Sequence, residues 1–271
     1  MNRVKIPKII FQEWFLFPGA KGKYKSGSVP DHWKSSPESI KKLMPDWKYV
    51  LINEKMADKF VKEKFPEFYD TYLSLEYDIQ KVDMARYAYL YEFGGIYTDL
   101  DIELVKPLDD LFYEDTDLYL AKSGNVGSIY TNSFLASKPK CKFWLECLKE
   151  IQKPYEYWMV VKHLKTMGKT GPLLLSRTLK KFKYDYTVHN IPSKFIMPCS
   201  SCEPKPCTKP GAYTIALEGS SWCGWDSLFF NACVCNWKLF LILIFLIILL
   251  LLLWYYSYYN DIKEWIKKKY Y

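Results

Sequence analysis

Histidine is scarce in this 271-residue chain: His32, His163 and His189 are all it has, so few imidazoles are on offer for metal or proton chemistry. No zinc-finger, RNA-recognition or basic-zipper pattern occurs, which removes nucleic acid from the candidate partners despite a net charge of +8. No internal repeat is visible, so a stacked-repeat architecture is excluded. The opening MNRVKIPKIIFQEW lacks the apolar core of a secretory leader. Its apolar run is short, broken by Pro7, and carries Gln12 and Glu13.

What is abundant is aromatic and apolar. The composition is 49% hydrophobic with 23 Tyr, 16 Phe and 10 Trp, which argues for a packed globular chain with ring-lined pockets. The length suffices for a sizeable core in one large domain or two small ones. The positive charge reads either as a solvated lysine surface or as attraction to anionic partners such as nucleotides or acidic lipid headgroups.

One long apolar run stands apart. Residues 237–256, WKLFLILIFLIILLLLLWYY, would span about 30 Å as a helix, the thickness of a hydrocarbon core. Trp237, Trp254, Tyr255 and Tyr256 place interfacial rings at its ends. A basic tail, 257–271, follows with Lys263, Lys267, Lys268 and Lys269, so the run is not the terminal tail of a lipid-anchor signal. The expectation is a single C-terminal transmembrane helix behind one folded domain, residues 1–235.

Within that domain strands and helices alternate. Residues 6–14 and 47–52 read as strands, and 18–30 as a Gly/Lys/Ser-rich loop. Ser36-Pro37 opens a helix that Pro45 ends, and Asn53 caps the next, to about Lys64. A short helix covers about 67–75. Asp78 is expected to cap a helix over 79–93 that is apolar nearly all round and therefore buried. Gly94-Gly95 stops it, and 96–100 is a strand with 102–105 continuing extended. Residues 118–121, 133–136, 186–189, 195–197 and 213–217 are further strands, with helices after Pro139 and Thr170-Gly171-Pro172. The pattern implies an α/β fold with a mostly parallel sheet, whose ligands sit at the carboxyl ends of strands.

Asp99 and Asp101 fall at such an end. In a strand they would point to the same side, and two such close carboxylates repel unless a cation compensates. Hard oxygen ligands suit Mg²⁺ or Mn²⁺, which also accept phosphate oxygens; a solvated turn is the plainer alternative. Asp83 and Arg86 lie three apart on the buried helix, which has no polar face to spare. They form an internal salt bridge, or present a carboxylate and a guanidinium to a pocket.

The string K-x-D-x-x-R-Y…L-Y-x-x-G-G-I-Y-x-D-x-D over 81–101 resembles the signature of glycosyltransferase family 32, the D-x-D sugar-transferring enzymes. That family includes inositolphosphoceramide and α-1,6-mannosyltransferases, and its core is similar to the glucosylating domains of large clostridial toxins. IPKII-x-Q-x-W near the start, NSFLASKPKCKFW over 132–144, Thr170-Gly171-Pro172 and 213–222 resemble further family blocks in order, covering about residues 4–222. The resemblance implies a GT-A-type, Rossmann-like domain and a UDP- or GDP-hexose donor. It implies Asp101 as metal ligand, Asp99 on the ribose or sugar and the metal's water shell, Asp83 and Arg86 on sugar hydroxyls, and Trp14 stacked on the base. Mn²⁺ or Mg²⁺ is the implied cofactor, and the implied reaction retains anomeric configuration.

Two departures stand out. The family usually has histidine at the place of Phe11 and again near Ala216. Toxin-like relatives complete the metal shell with a Glu and a Ser before a Trp that contacts the diphosphate. By that likeness Glu218 and Ser221 become metal ligands and Trp222 a diphosphate contact. No nucleophile is evident, as expected if the acceptor attacks on the face the leaving group departs from.

Six of eight cysteines lie between Cys199 and Cys235, in and after a Cys- and Pro-rich insertion at about 199–211. Disulfides, a zinc site and free thiols are all compatible with the spacing. Disulfides and a lysine-rich tail would put the domain in a lumen, and the missing leader would put it in the cytosol; both stay open. The expected function is a membrane-anchored, metal-dependent glycosyltransferase acting on a glycolipid or membrane glycoprotein. The alternatives are an inactive relative serving as a membrane-bound sugar-binding or scaffold protein, and a nucleotide-sugar hydrolase.

Overall fold

The computed structural model describes residues 6–16, 28–113, 116–124, 129–154, 160–182, 186–219 and 221–270. The expected loop at 18–30 lies outside them up to position 27. The chain divides into two units, 1–226 and 227–271.

In order, the elements are β1 (Ile9–Glu13), α1 (Ser35–Leu43), β2 (Lys48–Ile52), α2 (Glu54–Lys64), α3 (Pro66–Ser74), α4 (Asp78–Phe93), β3 (Gly95–Thr98), β4 (Ile102–Leu104), β5 (Leu118–Lys122), β6 (Tyr130–Ser137), α5 (Lys142–Gln152), α6 (Lys162–Lys169), α7 (Pro172–Phe182), β7 (Val188–Ile191), α8 (Ser193–Ile196), β8 (Thr214–Ala216), α9 (Trp225–Cys235) and α10 (Trp237–Tyr270). Six strands form one sheet in the order β2-β1-β3-β6-β5-β7, and β4 pairs with β8 in a separate antiparallel ribbon. β1 is parallel to β2 and β3, and β5 to β7, while β6 runs against both of its neighbours. The sheet is therefore parallel-dominated, as expected, with one reversed strand.

Strand periodicity of two sorts the apolar residues into two cores. Phe11, Tyr97, Leu118, Leu120 and Leu135 pack on one face with α2 to α5 and α7. Ile10, Ile96, Tyr119, Phe134 and Ala136 pack on the other with Ile40 of α1, Met44 just after it, Leu104 of β4 and Ile196 of α8. Helix α4 sits in the first core and is buried along most of its length. Tyr87 on α4 stacks on Trp144 of α5 at 5.5 Å and donates to the Thr170 carbonyl at 2.5 Å. The helix ends where Gly94 (φ 63°) and Gly95 (φ 90°) turn the chain into β3; a Cβ on Gly95 would lie 2.5 Å from the Ile9 carbonyl oxygen. That tight junction fixes where β3 begins beside β1.

Several local expectations change. Asn53 caps α2, accepting from the Met56 amide at 3.0 Å, as its position predicts. Asp78, by contrast, lies inside the first turn of α4; the Gln80 side chain accepts from the Tyr77 amide at 3.2 Å and closes the start. Residues 195–197 are not a strand: the short apolar run forms the end of α8 and the residue after it, and β7 is displaced toward Ile191. A run that short carries no helix-or-strand information of its own. Cys199 and Cys207 form a disulfide with Cα atoms 6.2 Å apart, while Cys141, Cys147, Cys223 and Cys233 are free thiols.

In the second unit, α10 is a 34-residue helix, about 50 Å at 1.5 Å per residue. It is long and apolar enough to cross a membrane, and its apolar window has no buried side chain. The helix does not stop at the end of the apolar run but continues through the lysine-bearing tail.

Candidate active site

Asp99, Leu100 and Asp101 follow directly on the carboxyl end of β3 but are not part of the strand itself. They form a turn between β3 and β4, closed by the Ile102 amide to the Asp99 carbonyl at 3.3 Å. The alternating sequence suggested one extended run, but β4 leaves the main sheet to pair with β8. Four segments pin this turn. Gln12 Nε2 donates to the Asp99 carbonyl at 3.1 Å and to Ser36 Oγ at 2.9 Å, and Ser36 Oγ donates to the Ile102 carbonyl at 2.5 Å. The Asp99 amide bonds the Ser133 carbonyl, and the Leu217 amide bonds the Asp101 carbonyl at 2.8 Å. The two carboxylates are thus presented by a turn whose backbone is tied down by both carbonyls of the aspartates and by the Asp99 amide.

Next to it lies a buried charge cluster. Arg86 on α4 donates through Nη1 to the Asn132 carbonyl at 2.8 Å and stands 3.4 Å from Asp83 and 3.6 Å from Asp99. Its Nε is 3.4 Å from Glu13, and its guanidinium lies 4.1 Å above the Tyr97 ring. Asp83 accepts from Thr170 Oγ1 at 2.8 Å and from Asn132 Nδ2 at 3.0 Å. Tyr97 donates to Asp99 at 2.6 Å. Three carboxylates thus meet one guanidinium. Burial raises Asp83 above the usual carboxylate range and pushes Glu13 up to about 8 against the pull of Arg86. Neither Glu13 carboxyl oxygen has a hydrogen-bond partner, so the proton the cluster needs to hold belongs on Glu13.

These groups line one cavity of about 260 Å³. Trp14, Asp83, Arg86, Asp99, Asp101, Ser221 and Trp222, all expected from the sequence, are in its wall. Glu218 is not: its side chain is exposed, and its carbonyl accepts from Trp33 Nε1 at 2.5 Å. Burial and the neighbouring Asp99 push Asp101 up to about 7. Two carboxylates held together against such repulsion, with the Ser221 hydroxyl in the same wall, are a donor set that fits a hard divalent cation. A Cβ on Gly219 would lie 1.7 Å from Asp101 Oδ2, so the chain at Gly219 passes directly against the turn.

Sequence reasoning missed Glu13, Trp33, Asn132 and Thr170 as members of the site. Trp33 packs edge-on against Trp14 at 5.4 Å and fixes its ring. Asn132 and Thr170 stood in recognisable blocks without a role; both turn out to hold Asp83. Glu13 carried a signal of its own, since it shares strand parity with buried Phe11. Phe11 packs at a tilt in the core against Tyr89 and Phe93, away from the cavity wall, so the missing histidine at this position costs the site no ligand.

Comparison with known proteins identifies the family. The chain is 36% identical over 178 residues to the mannosyl phosphorylinositol ceramide synthase SUR1 of Saccharomyces cerevisiae, covering 66% of this chain and 43% of that one. It is 30% identical over 229 residues to inositol phosphoceramide mannosyltransferase 1 of Schizosaccharomyces pombe, covering 83% and 65%. It thus spans less than half of the first relative and less than two thirds of the second. Among solved structures, the UDP-bound glycosyltransferase domain from the YGT toxin aligns with a TM-score of 0.50 at 9% identity, over 70% of this chain and 80% of that one, a likeness of fold. Residues 30–133 match the family described as the glycosyltransferase sugar-binding region containing the DXD motif, and the chain belongs to that glycosyltransferase family.

Proposed function

We propose that the chain is a membrane-anchored, metal-dependent, retaining glycosyltransferase that moves a hexose from a UDP- or GDP-sugar to a glycolipid. The observation that carries this reading is the meeting of Asp99 and Asp101 with the Asp83–Arg86 pair in one aromatic-walled cavity. The relatives named as inositol phosphoceramide mannosyltransferases support mannose as the sugar and an inositol-phosphate lipid headgroup as the acceptor.

Each wall of the cavity has a task. Trp14, braced by Trp33, offers its ring to the base. Asp83 and Arg86, held by Asn132 and Thr170, accept from and donate to sugar hydroxyls. Asp101 would hold Mn²⁺ or Mg²⁺ directly, with Asp99 serving its water shell and the ribose or sugar and the Ser221 hydroxyl in the same wall; Glu218, exposed beside them, is the further ligand that the family likeness implies. A bound divalent cation would neutralise diphosphate charge. Trp222 stands at the diphosphate, its carbonyl accepting from Lys162 at 2.5 Å.

In the transfer, the bond between the anomeric carbon and the β-phosphate oxygen breaks and its electron pair stays with that oxygen. The acceptor hydroxyl oxygen bonds the anomeric carbon from the same face, and its proton leaves with the nucleoside diphosphate. Arg86, fixed before the donor arrives, needs no reorganisation to meet the oxygens around it.

Helix α10 supplies the anchor that keeps the cavity near a lipid acceptor. The Cys199–Cys207 disulfide and the lysines beyond the apolar run favour a domain on the lumenal side. The test uses the full chain in lipid nanodiscs containing an inositol-phosphate sphingolipid, with radiolabelled GDP-mannose and UDP-hexoses and Mn²⁺. Label moving into the lipid fraction is the expected result. Label released only as free sugar indicates a hydrolase, and nucleotide binding with no turnover indicates an inactive scaffold.

A further inference from the structure

A second cation approaches the DXD turn from the Cys- and Pro-rich insertion. Cys207 and Ala216 exchange both backbone hydrogen bonds at 2.8 Å in an antiparallel bridge, and Ala216 pairs antiparallel with Ile102. Cys207, Ala216 and Ile102 therefore stand in one row, and the segment bearing Cys207 runs in the same direction as β4. Lys205 lies two residues before Cys207 and Asp101 one residue before Ile102, so both leave the row at the same end. The Cys199–Cys207 disulfide closes the loop that carries Lys205.

The ammonium is partly buried and incompletely used. Its one hydrogen bond among the described residues goes to the Ser200 carbonyl, at 3.0 Å, in the same loop. An ammonium has three donors, so two remain. Among the described residues no carboxylate lies at ion-pair distance from it. Burial pulls Lys205 down, and Glu203 and Asp101 hold it up; reciprocally, Lys205 is among the groups that draw Asp101 toward its charged form. The Lys205 side chain is not in the cavity wall, but it acts on Asp101 from the adjoining loop, on the end of the row where Asp101 lies, and a cation so placed can meet the anion that a metal there would bring, a diphosphate. Ala216, in the middle of the row, offers no side-chain ligand of its own, so the charge comes from the loop next to it.

We propose that Lys205, held by the Cys199–Cys207 loop, binds the β-phosphate of the nucleotide donor and neutralises the departing nucleoside diphosphate. This rests on the donor reading of the cavity given above. When the anomeric carbon–oxygen bond breaks, the electron pair stays on the β-phosphate oxygen, and the acceptor's proton leaves with the diphosphate; Lys205 stays protonated throughout and supplies charge alone. The disulfide makes this contact dependent on the oxidised loop.

The test is calorimetric binding of UDP, UMP, GDP and GMP to the full chain in detergent with Mn²⁺. Lys205→Ala should weaken the preferred diphosphate about tenfold and leave the matching monophosphate unchanged, since only the former has a β-phosphate. Lys205→Arg should restore most of the loss, and the Cys199→Ser/Cys207→Ser double variant should reproduce the diphosphate-selective defect. An unchanged diphosphate affinity in Lys205→Ala, or equal losses for diphosphate and monophosphate, overturns the role of Lys205 while leaving the donor reading in place. Failure of the wild-type protein to bind any of the four nucleotides overturns the donor reading, and the role of Lys205 with it.

Discussion

Tyr97 donates its phenolic hydrogen to Asp99 Oδ1 at 2.6 Å, so one carboxylate of the DXD turn is oriented from the sheet beneath it. The same ring lies under the Arg86 guanidinium at 4.1 Å, which ties the carboxylate pair to the buried cation. Tyr97→Phe keeps the ring and removes the donor. A hydrogen bond to a charged group contributes about 1.5–3 kcal/mol, so donor affinity should drop by roughly one to two orders of magnitude. The thermal midpoint should move little, because the ring still fills its place. Steady-state kinetics with varied donor check this; an unaltered donor KM and kcat would mean that the bond does not set the Asp99 geometry.

Among the described residues Arg86 is the one cation set against Glu13, Asp83 and Asp99, the first two of them buried. Arg86→Met should lower unfolding stability by about 3–5 kcal/mol, the usual cost of leaving buried charges uncompensated. Adding Asp83→Asn should recover part of that loss, because it removes a carboxylate that Arg86 had compensated. Chemical denaturation of the four proteins in the cycle measures the coupling. Additive losses would show that Asp83 and Arg86 do not interact.

Glu13 should make stability depend on pH in a predictable direction. Its folded value of about 8 lies above the ordinary 4.5, so the folded state holds a proton that the unfolded chain releases. Below pH 4.5 both states are protonated and Glu13 contributes no pH dependence. Between about 4.5 and 8 the folded state is progressively penalised, and above 8 the penalty is constant. Glu13→Gln should therefore be more stable than wild type by a margin that widens from pH 5 to pH 8, reaching a few kcal/mol at most. Denaturation midpoints at pH 5, 6.5 and 8 give the answer; a margin that is the same at all three would contradict the buried, protonated carboxyl.

Gly219 is the point where the closing segment meets the metal-type carboxylate. Gly219→Ala places a methyl group against Asp101. The segment is at the surface, so the fold should survive with its unfolding transition within about 1 kcal/mol of wild type. Mn²⁺-dependent nucleotide binding should fall severalfold. Binding at wild-type strength would show that Gly219 does not sit against Asp101 in the working protein.

Much of this site was legible because its signals are local. Asp83 and Arg86 stand on one face of a helix with no solvent side, and the double glycine after Phe93 marks where the chain must turn. The Asn53 cap and the apolar helix at 237–256 were readable for the same reason. What escaped depends on partners far away in sequence. Asp99 and Asp101 read as a strand end because the alternation runs unbroken into 102–105. They form a turn because residues 214–216 draw β4 out of the main sheet. The run at 195–197 is too short to declare itself helix or strand. Lys205 acquires its place only through a disulfide and the Cys207–Ala216–Ile102 row. Glu13 was the one missed residue with a local clue, a carboxylate on the core-facing parity of a strand.

The central claim is that Asp99 and Asp101 serve a metal that assists sugar transfer from a nucleotide donor. Its most direct test is release of UDP or GDP from a panel of nucleotide sugars by the full chain in detergent, with Mn²⁺ or with chelator, in wild type and Asp101→Asn. The account predicts release from at least one donor that requires Mn²⁺ and falls at least a hundredfold in Asp101→Asn, about 2.7 kcal/mol or more of transition-state stabilisation. Release that is indifferent to chelator and to the substitution would contradict it.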